Sequence, residues 1–246
     1  MKRLQQKGFT LVELAIVLTI VGLLIGGILK GQQLIANAQV TAQIAQLKGV
    51  EAALITFNDS YQSLPGDMLL ASTRLPATGC GGGVCPNGNG DGQMGTPSAA
   101  GPVVTVAGAA PVGENLGFWE HLSAANLLAG ISGVLPNFGS GLPNGKFTGS
   151  GLVATTITNA PYGGGIWVTV ATANNAGALG NGLAAGGGLM TPNQAAQIDR
   201  KMDDGQSQSG SLVAGGDAGD CVTAAVTGYN EGNGLKDCTV SYRAQN

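Results

Sequence analysis

Lys7-Gly8-Phe9-Thr10-Leu11-Val12-Glu13-Leu14, running on without a break in apolar character to Leu29, decides how the rest of the chain is read. A short leader carrying Lys2, Arg3 and Lys7, and no acid, ends at Gly8. From Phe9 to Leu29 the run is long enough to cross about 30 Å of hydrocarbon as a helix. Basic residues ahead of such a helix keep that end in the cytoplasm, so the remainder is expected to face outward. Inside the run stands one carboxylate, Glu13. A charge in a membrane-length helix costs roughly 2.5–3.5 kcal/mol at the bilayer centre, so it marks a functional position. Ala15, Gly22, Gly26 and Gly27 predict the close approach of another helix, with Gly22 and Gly26 at G-x-x-x-G spacing.

Two plainer readings compete. An ordinary secretory signal would be cut near Ala36-Asn37-Ala38, which has the A-x-A form. The apolar run exceeds a signal core, however, and Lys30-Gly31-Gln32-Gln33 separates it from that site. A simple uncleaved anchor leaves Glu13 without a role.

Beyond Lys30 the residues Ile44, Leu47, Val50, Leu54, Phe57 and Tyr61 recur every three or four positions, while Gln43, Gln46, Lys48, Glu51 and Asn58 mostly fall elsewhere. That is an amphipathic helix. One helix is expected from Phe9 to Tyr61, ended by Leu64-Pro65-Gly66-Asp67.

Composition bounds the outer part of the chain. Glycine supplies 43 of 246 residues and aromatics only 4%, so this part should be loop-rich, its core resting on Leu, Val, Ile and Ala. Charged residues are 10% and the net charge is −3, with no basic stripe for nucleic acid. The cysteines fall into two local pairs, Cys80/Cys85 and Cys221/Cys238, which in an exported chain read as disulfides. Neither spacing is that of a zinc site, and His121 is the sole histidine.

Thr78 to Ala110 reads as loop. Within it, Asn87-Gly88-Asn89-Gly90-Asp91-Gly92 places oxygen-bearing residues at alternate positions, as calcium loops do. Asn87, Asn89 and Asp91 are the candidate ligands. Only Asp91 is acidic, and the closing glutamate of such a loop falls at Ser98, so a run of Asn-Gly and Asp-Gly turns reads as well. No other cofactor is called for. Glu114 to Ala129 predicts a second helix with its C-cap at Gly130, in which His121 reads as a surface or packing residue. Leu152 to Ile157 and Ile166 to Val170 predict strands that pair as a hairpin, and Thr239 to Tyr242 a last strand. Thr191, Pro192 and Gln194 form a T-x-x-Q capping box opening a helix with Ala195, Ile198 and Met202 inward. Asp199, Asp203 and Asp204 belong, with Arg200 and Lys201, to its polar face. No nucleophile, base and orienter set appears, so the chain does not read as an enzyme.

Lys7-Gly8-Phe9-Thr10-Leu11-Val12-Glu13 with its apolar run resembles the type IV prepilin family, which includes the pseudopilins of type II secretion. The resemblance implies cleavage between Gly8 and Phe9 on the cytoplasmic side by a membrane-embedded aspartic peptidase, which then N-methylates Phe9. It places Glu13 where the family carries its glutamate. There the carboxylate would pair with the Phe9 amine of a neighbouring subunit and set the axial register. Many members carry a helix-breaking proline where this chain has Lys30; Gly26, Gly27 and Gly31 weaken the helix nearby. The Leu-Pro-Gly-Asp turn, Trp119-Glu120-His121-Leu122 and Leu189 to Gly205 are similar to segments of one group of large prepilin-like proteins. Cys221 to Cys238 would frame the exposed C-terminal loop.

The fold expected is α+β and pilin-like. A long N-terminal helix, transmembrane in its first half, packs on a glycine-rich head with a small antiparallel sheet and short helices. The expected division is a leader at 1–8, a transmembrane and assembly helix at 9–29, its amphipathic continuation at 30–64 and a periplasmic or extracellular head at 65–246. The expected role is a structural subunit of a type IV pilus or related filament, or a type II secretion pseudopilin. A secreted glycine-rich binding or enzymatic domain is the remote alternative. The expected partners are the inner membrane, the prepilin peptidase/methyltransferase and other pilin subunits. The subunit would wait in the inner membrane as a single-pass protein and end in a pilus or periplasmic filament.

Overall fold

Pro65 is the first proline in the chain, and nothing earlier stops a helix. The first helix accordingly runs through 51 residues, α1 (Leu11–Tyr61). The computed structural model describes residues 10–81, 83–94, 113–131, 137–157, 164–173, 179–180, 189–215, 219–223, 228–236 and 238–245. The chain divides into two units, Met1–Gln39 and Val40–Asn246.

In the first unit every described side chain up to Leu29 is exposed, Leu11 to 85% and Leu23 to 78%. The helix is long and apolar enough to cross a membrane, with a mean hydropathy of 2.6 over its best window and none of that window buried.

In the second unit α1 changes behaviour. Val40, Leu47, Val50, Ala53, Leu54 and Phe57 are buried, while Ile44 and Tyr61 are packed against that core from its edge. Gln43, expected off the apolar stripe, is also fully buried. Its Oε1 accepts the Lys146 N–H at 2.9 Å, which satisfies the amide.

Among the described residues three further α-helices follow: α2 (Ala71–Arg74), α3 (Glu114–Ala124) and α4 (Pro192–Met202). The α3 helix ends earlier than its composition suggests. Asn126 takes φ 56, and the N–H groups of Asn126 and Leu127 turn back to the carbonyls of Ser123 and Leu122. This is a Schellman stop with Asn where glycine is more usual, so Ala125 to Ala129 lie outside the helix. Thr191 caps α4 as expected, with both bonds of the capping box present.

The sheet has the strands β1 (Ser150–Ile157), β2 (Gly165–Ala173), β3 (Leu179–Gly180), β4 (Leu212–Gly215) and β5 (Thr239–Gln245). The order is β1-β2-β5-β4, every pairing antiparallel, with β3 added to β2. The hairpin sets Leu152 opposite Val170 and Ala154 opposite Val168. Leu152, Val153 and Ala154 are all buried, so both faces of the sheet are covered there. Lys48 reaches the last strand, its Nζ donating to the Tyr242 hydroxyl at 2.6 Å, and Tyr242 donates to Glu51 at 2.9 Å.

Cys80 is bonded to Cys85 and Cys221 to Cys238. The molecule is α+β with a pilin-like architecture: a long apolar N-terminal helix, a small antiparallel sheet and short helices.

Candidate assembly site at the start of the first helix

The first turn of α1 is built by two residues. Thr10 is the last residue before the helix, and its backbone N–H and hydroxyl both donate to the Glu13 carboxylate, at 2.9 and 2.8 Å. The Glu13 N–H returns a bond to the Thr10 hydroxyl at 3.3 Å. This is a T-x-x-E capping box. It does two things for a carboxylate among apolar neighbours. It supplies hydrogen bonds, and it sets the negative charge at the helix N-terminus, where the aligned peptide dipoles favour it. Glu13 therefore has a partner within its own chain. Attention to the charge alone passes over Thr10, although Thr10-Leu11-Val12-Glu13 has the spacing of the box.

The glycines below behave alike. A Cβ built on Gly22, Gly26, Gly27 or Gly31 meets no atom within 4 Å. Among the described residues no neighbour calls for their small size.

Residues 3–29 match the family model described as the prokaryotic N-terminal methylation motif. This motif is the signature of type IV prepilins and pseudopilins, and it covers the leader and the apolar run alone. No curated protein and no solved structure matches the chain. Within the motif, Gly8 and Phe9 lie outside the described residues, while Thr10 and Glu13 form its first visible turn.

The candidate residues outside the motif lie in the second unit and are engaged there in other ways. Around Asn87 to Gly92 the loop wraps its backbone around Asp67. The Asp67 carboxylate, almost fully buried, accepts the N–H groups of Gly90, Asp91 and Gly92 at 2.6, 3.1 and 2.8 Å. Gly88 permits the contact, because a Cβ there would stand 2.3 Å from the Asp67 backbone. The candidate calcium ligands take N–H donors of their own: Asn87 Oδ1 from Ser72, Asn89 Oδ1 from Asp91, and Asp91 Oδ1 from Gln93. Asp91 Oδ2 accepts the Asn89 amide as well.

His121 is fully buried. Its Nδ1 accepts the Gly66 N–H at 2.8 Å, so Nε2 carries the proton and donates to the Pro86 carbonyl at 2.7 Å. The neutral ring thereby joins the turn that ends α1 to the segment after Cys85. Burial lowers its pKa below the ordinary 6.5. Glu120 beside it is buried too, and burial raises its pKa.

Asp199 corrects the solvated reading of the α4 acids, since it is fully buried. Its Oδ2 accepts the Tyr229 hydroxyl at 2.7 Å and its Oδ1 the Gly205 N–H at 3.2 Å. Burial pushes its pKa up to about 6, against the lowering effect of those two bonds. Next along α4, Arg200 pairs with Glu231, which also accepts from Asn193 at 3.2 Å. Tyr229 and Glu231 both belong to the loop closed by Cys221–Cys238, so α4 holds that loop through one buried and one exposed contact.

Proposed function

We propose that this chain is a structural subunit of a type IV pilus or related filament. It is cut between Gly8 and Phe9, N-methylated at Phe9, and polymerised through the helix that begins at Leu11. Before assembly it spans the inner membrane once, with its leader in the cytoplasm and residues 65–246 outside. Its partners are the prepilin peptidase/methyltransferase and further pilin subunits. A pseudopilin of type II secretion has the same processing and the same helix, and is the second reading.

The observation that carries this proposal is the pairing of the methylation motif with an apolar helical stretch, Leu11 to Leu29, that is exposed throughout among the described residues. Such a surface needs lipid before assembly and other helices after it. The glycines with open space around them favour close helix approach.

The capping box sharpens the role of Glu13. In the uncut chain its charge is held by Thr10. Cutting after Gly8 frees an amine on Phe9, one residue before Thr10 and four before Glu13. The Phe9 amine and Glu13 are then available to pair between subunits.

The test separates cap from charge. Glu13→Gln keeps the box, because glutamine serves equally at that position, but removes the charge. Glu13→Ala removes both. Both variants should insert and be cleaved, as read by N-terminal mass spectrometry, and neither should yield filaments by electron microscopy. Filaments from Glu13→Gln at the parental level would refute the charge-pairing role. A mature chain starting at Gln39 would overturn the processing proposal altogether.

A further inference from the structure

Five asparagines in the chain precede a glycine: Asn87, Asn89, Asn144, Asn181 and Asn233. This dipeptide is chemically labile, because glycine has no side chain to shield its nitrogen. The glycine nitrogen attacks the asparagine Cγ, giving up its proton. A new N–Cγ bond closes a five-membered imide as the Cγ–Nδ2 bond breaks and ammonia leaves. Water then opens either carbonyl of the imide, leaving aspartate or isoaspartate. The step needs no reagent besides water, but it needs a glycine N–H that is free.

Among the described residues that condition divides the sites. The Gly88 N–H donates to the Met68 carbonyl at 2.9 Å, and the Gly145 N–H to the Ser150 carbonyl at 2.8 Å. The Gly90 N–H donates to both the carboxylate and the carbonyl of Asp67, at 2.6 and 3.1 Å. The Gly234 N–H makes no hydrogen bond, and Gly234 is exposed.

Asn89 is the internal control. Its Oδ1 accepts the N–H two residues on, from Asp91 at 2.9 Å. Asn233 makes the same turn, its Oδ1 accepting from Leu235 at 3.0 Å. In both, the side-chain carbonyl is held by the N–H on the far side of the intervening glycine. They differ in that the Gly90 N–H is tied to Asp67, whereas the Gly234 N–H is tied to no described residue.

The product would alter the loop. The Asn233 amide donates to the Asp220 carbonyl at 3.2 Å and to its carboxylate at 3.4 Å, which fastens the Cys221–Cys238 loop to the residue just before it. A carboxylate cannot donate, so after conversion it would face two acceptors and lose both bonds.

We infer that Asn233 is a site of spontaneous amide loss, and that its conversion to aspartate or isoaspartate unties the loop framed by Cys221 and Cys238 from Asp220. The reaction acts as a built-in clock on this exposed loop, adding one negative charge per event.

The test uses the full chain in detergent micelles, held in mildly alkaline buffer and followed by peptide mapping with mass spectrometry. Asn233 should convert on the order of tenfold faster than Asn87, Asn89 or Asn144, the rate ratio that corresponds to about 1.4 kcal/mol of barrier. Unfolding the chain in urea should close that gap. Gly234→Ala should slow Asn233 alone; a Cβ there meets nothing within 4 Å, so the fold is left intact. Native Asn89 converting as fast as Asn233 would overturn the site. So would an unchanged Asn233 in native protein whose unfolded form converts. For the consequence, trypsin should cut after the exposed Lys236 faster in aged protein and in Asn233→Asp than in fresh parent. Equal rates would overturn the untying.

Discussion

Helix α1 meets two different solvents along its length. Between Leu11 and Leu29 its side chains are exposed all round, and Glu13 is the one charge. Between Val40 and Phe57 one stripe is buried, with Leu47, Leu54 and Phe57 at 0% exposure, while Lys48, Ala52 and Thr56 stay outside. Both stretches are helical, and both are rich in Leu, Ile, Val and Ala. What separates them is the second face. A helix with a polar face has its partner in the same chain; a helix without one must find lipid or another subunit. Damage to the two stretches should therefore show in different experiments.

The largest effects test that directly. Phe57→Ala deletes a fully buried ring that stacks on Tyr61 at 4.6 Å. It should cost about 3–5 kcal/mol of head stability, read as a lower Tm, and leave membrane insertion alone. Leu24→Asp should do the reverse, adding roughly 2.5–3.5 kcal/mol to insertion without moving the head's Tm. Either variant affecting both readouts would break the comparison.

The disulfides come next, and both lie in the second unit. Loop-closure entropy assigns roughly 3 kcal/mol to the Cys221–Cys238 loop and roughly 2 kcal/mol to the shorter Cys80–Cys85 loop. Replacing each pair by alanines should lower the Tm in that order. Neither replacement should change the fraction of chain recovered in membranes.

Acid should then pull the head in two directions. His121 is neutral when folded, with a pKa below its ordinary 6.5. Its contribution is full above that value and is lost as pH falls through the folded pKa. Asp199 has its folded pKa raised from 3.8 to about 6. The folded state then binds its proton more readily, so this group adds stability as pH falls from about 6 towards 3.8. Asp199→Asn removes that gain and leaves the His121 loss. The Tm of the variant should drop more steeply over this window than that of the parent. Coincident curves would show that Asp199 is not linked to folding.

Much of the fold is legible in the residues themselves. An apolar run and then a three-to-four-residue period place α1 as far as Tyr61, and Thr191 with Gln194 places the start of α4. The β1–β2 hairpin comes from two β-branched runs. The features that escape such a reading depend on partners distant in sequence. Gln43 is buried because Lys146 offers it an N–H, and no local pattern records that. Asp199 looks like one of three surface acids until Tyr229 is seen to reach it. Strand β4 is only four residues, Leu212–Gly215, too short to show an alternation of its own, and it is fixed by pairing with β5. Thr10 is a different case. Its signal is local and complete, but the unusual charge of Glu13 points towards another subunit and away from the neighbour three residues back.

The smallest effect brings the comparison to a single motif, because the chain uses the same capping box twice. Thr10 with Glu13 starts α1 in the first unit, and Thr191 with Gln194 starts α4 in the second. Replacing a threonine cap by alanine costs about 1 kcal/mol of helix stability, whereas serine caps at least as well. Thr191→Ala should lower the head's Tm, because α4 is packed into the core through Ala195, Ala196 and Ile198. Thr10→Ala should leave the Tm where it was, because that turn belongs to the first unit. Its effect should appear as faster hydrogen exchange at the first amides of α1 in micelles, and Thr10→Ser should restore protection. A Tm shift from Thr10→Ala would mean that the start of α1 is coupled to the head's stability, and the division of the helix between two solvents would fail at its first residue.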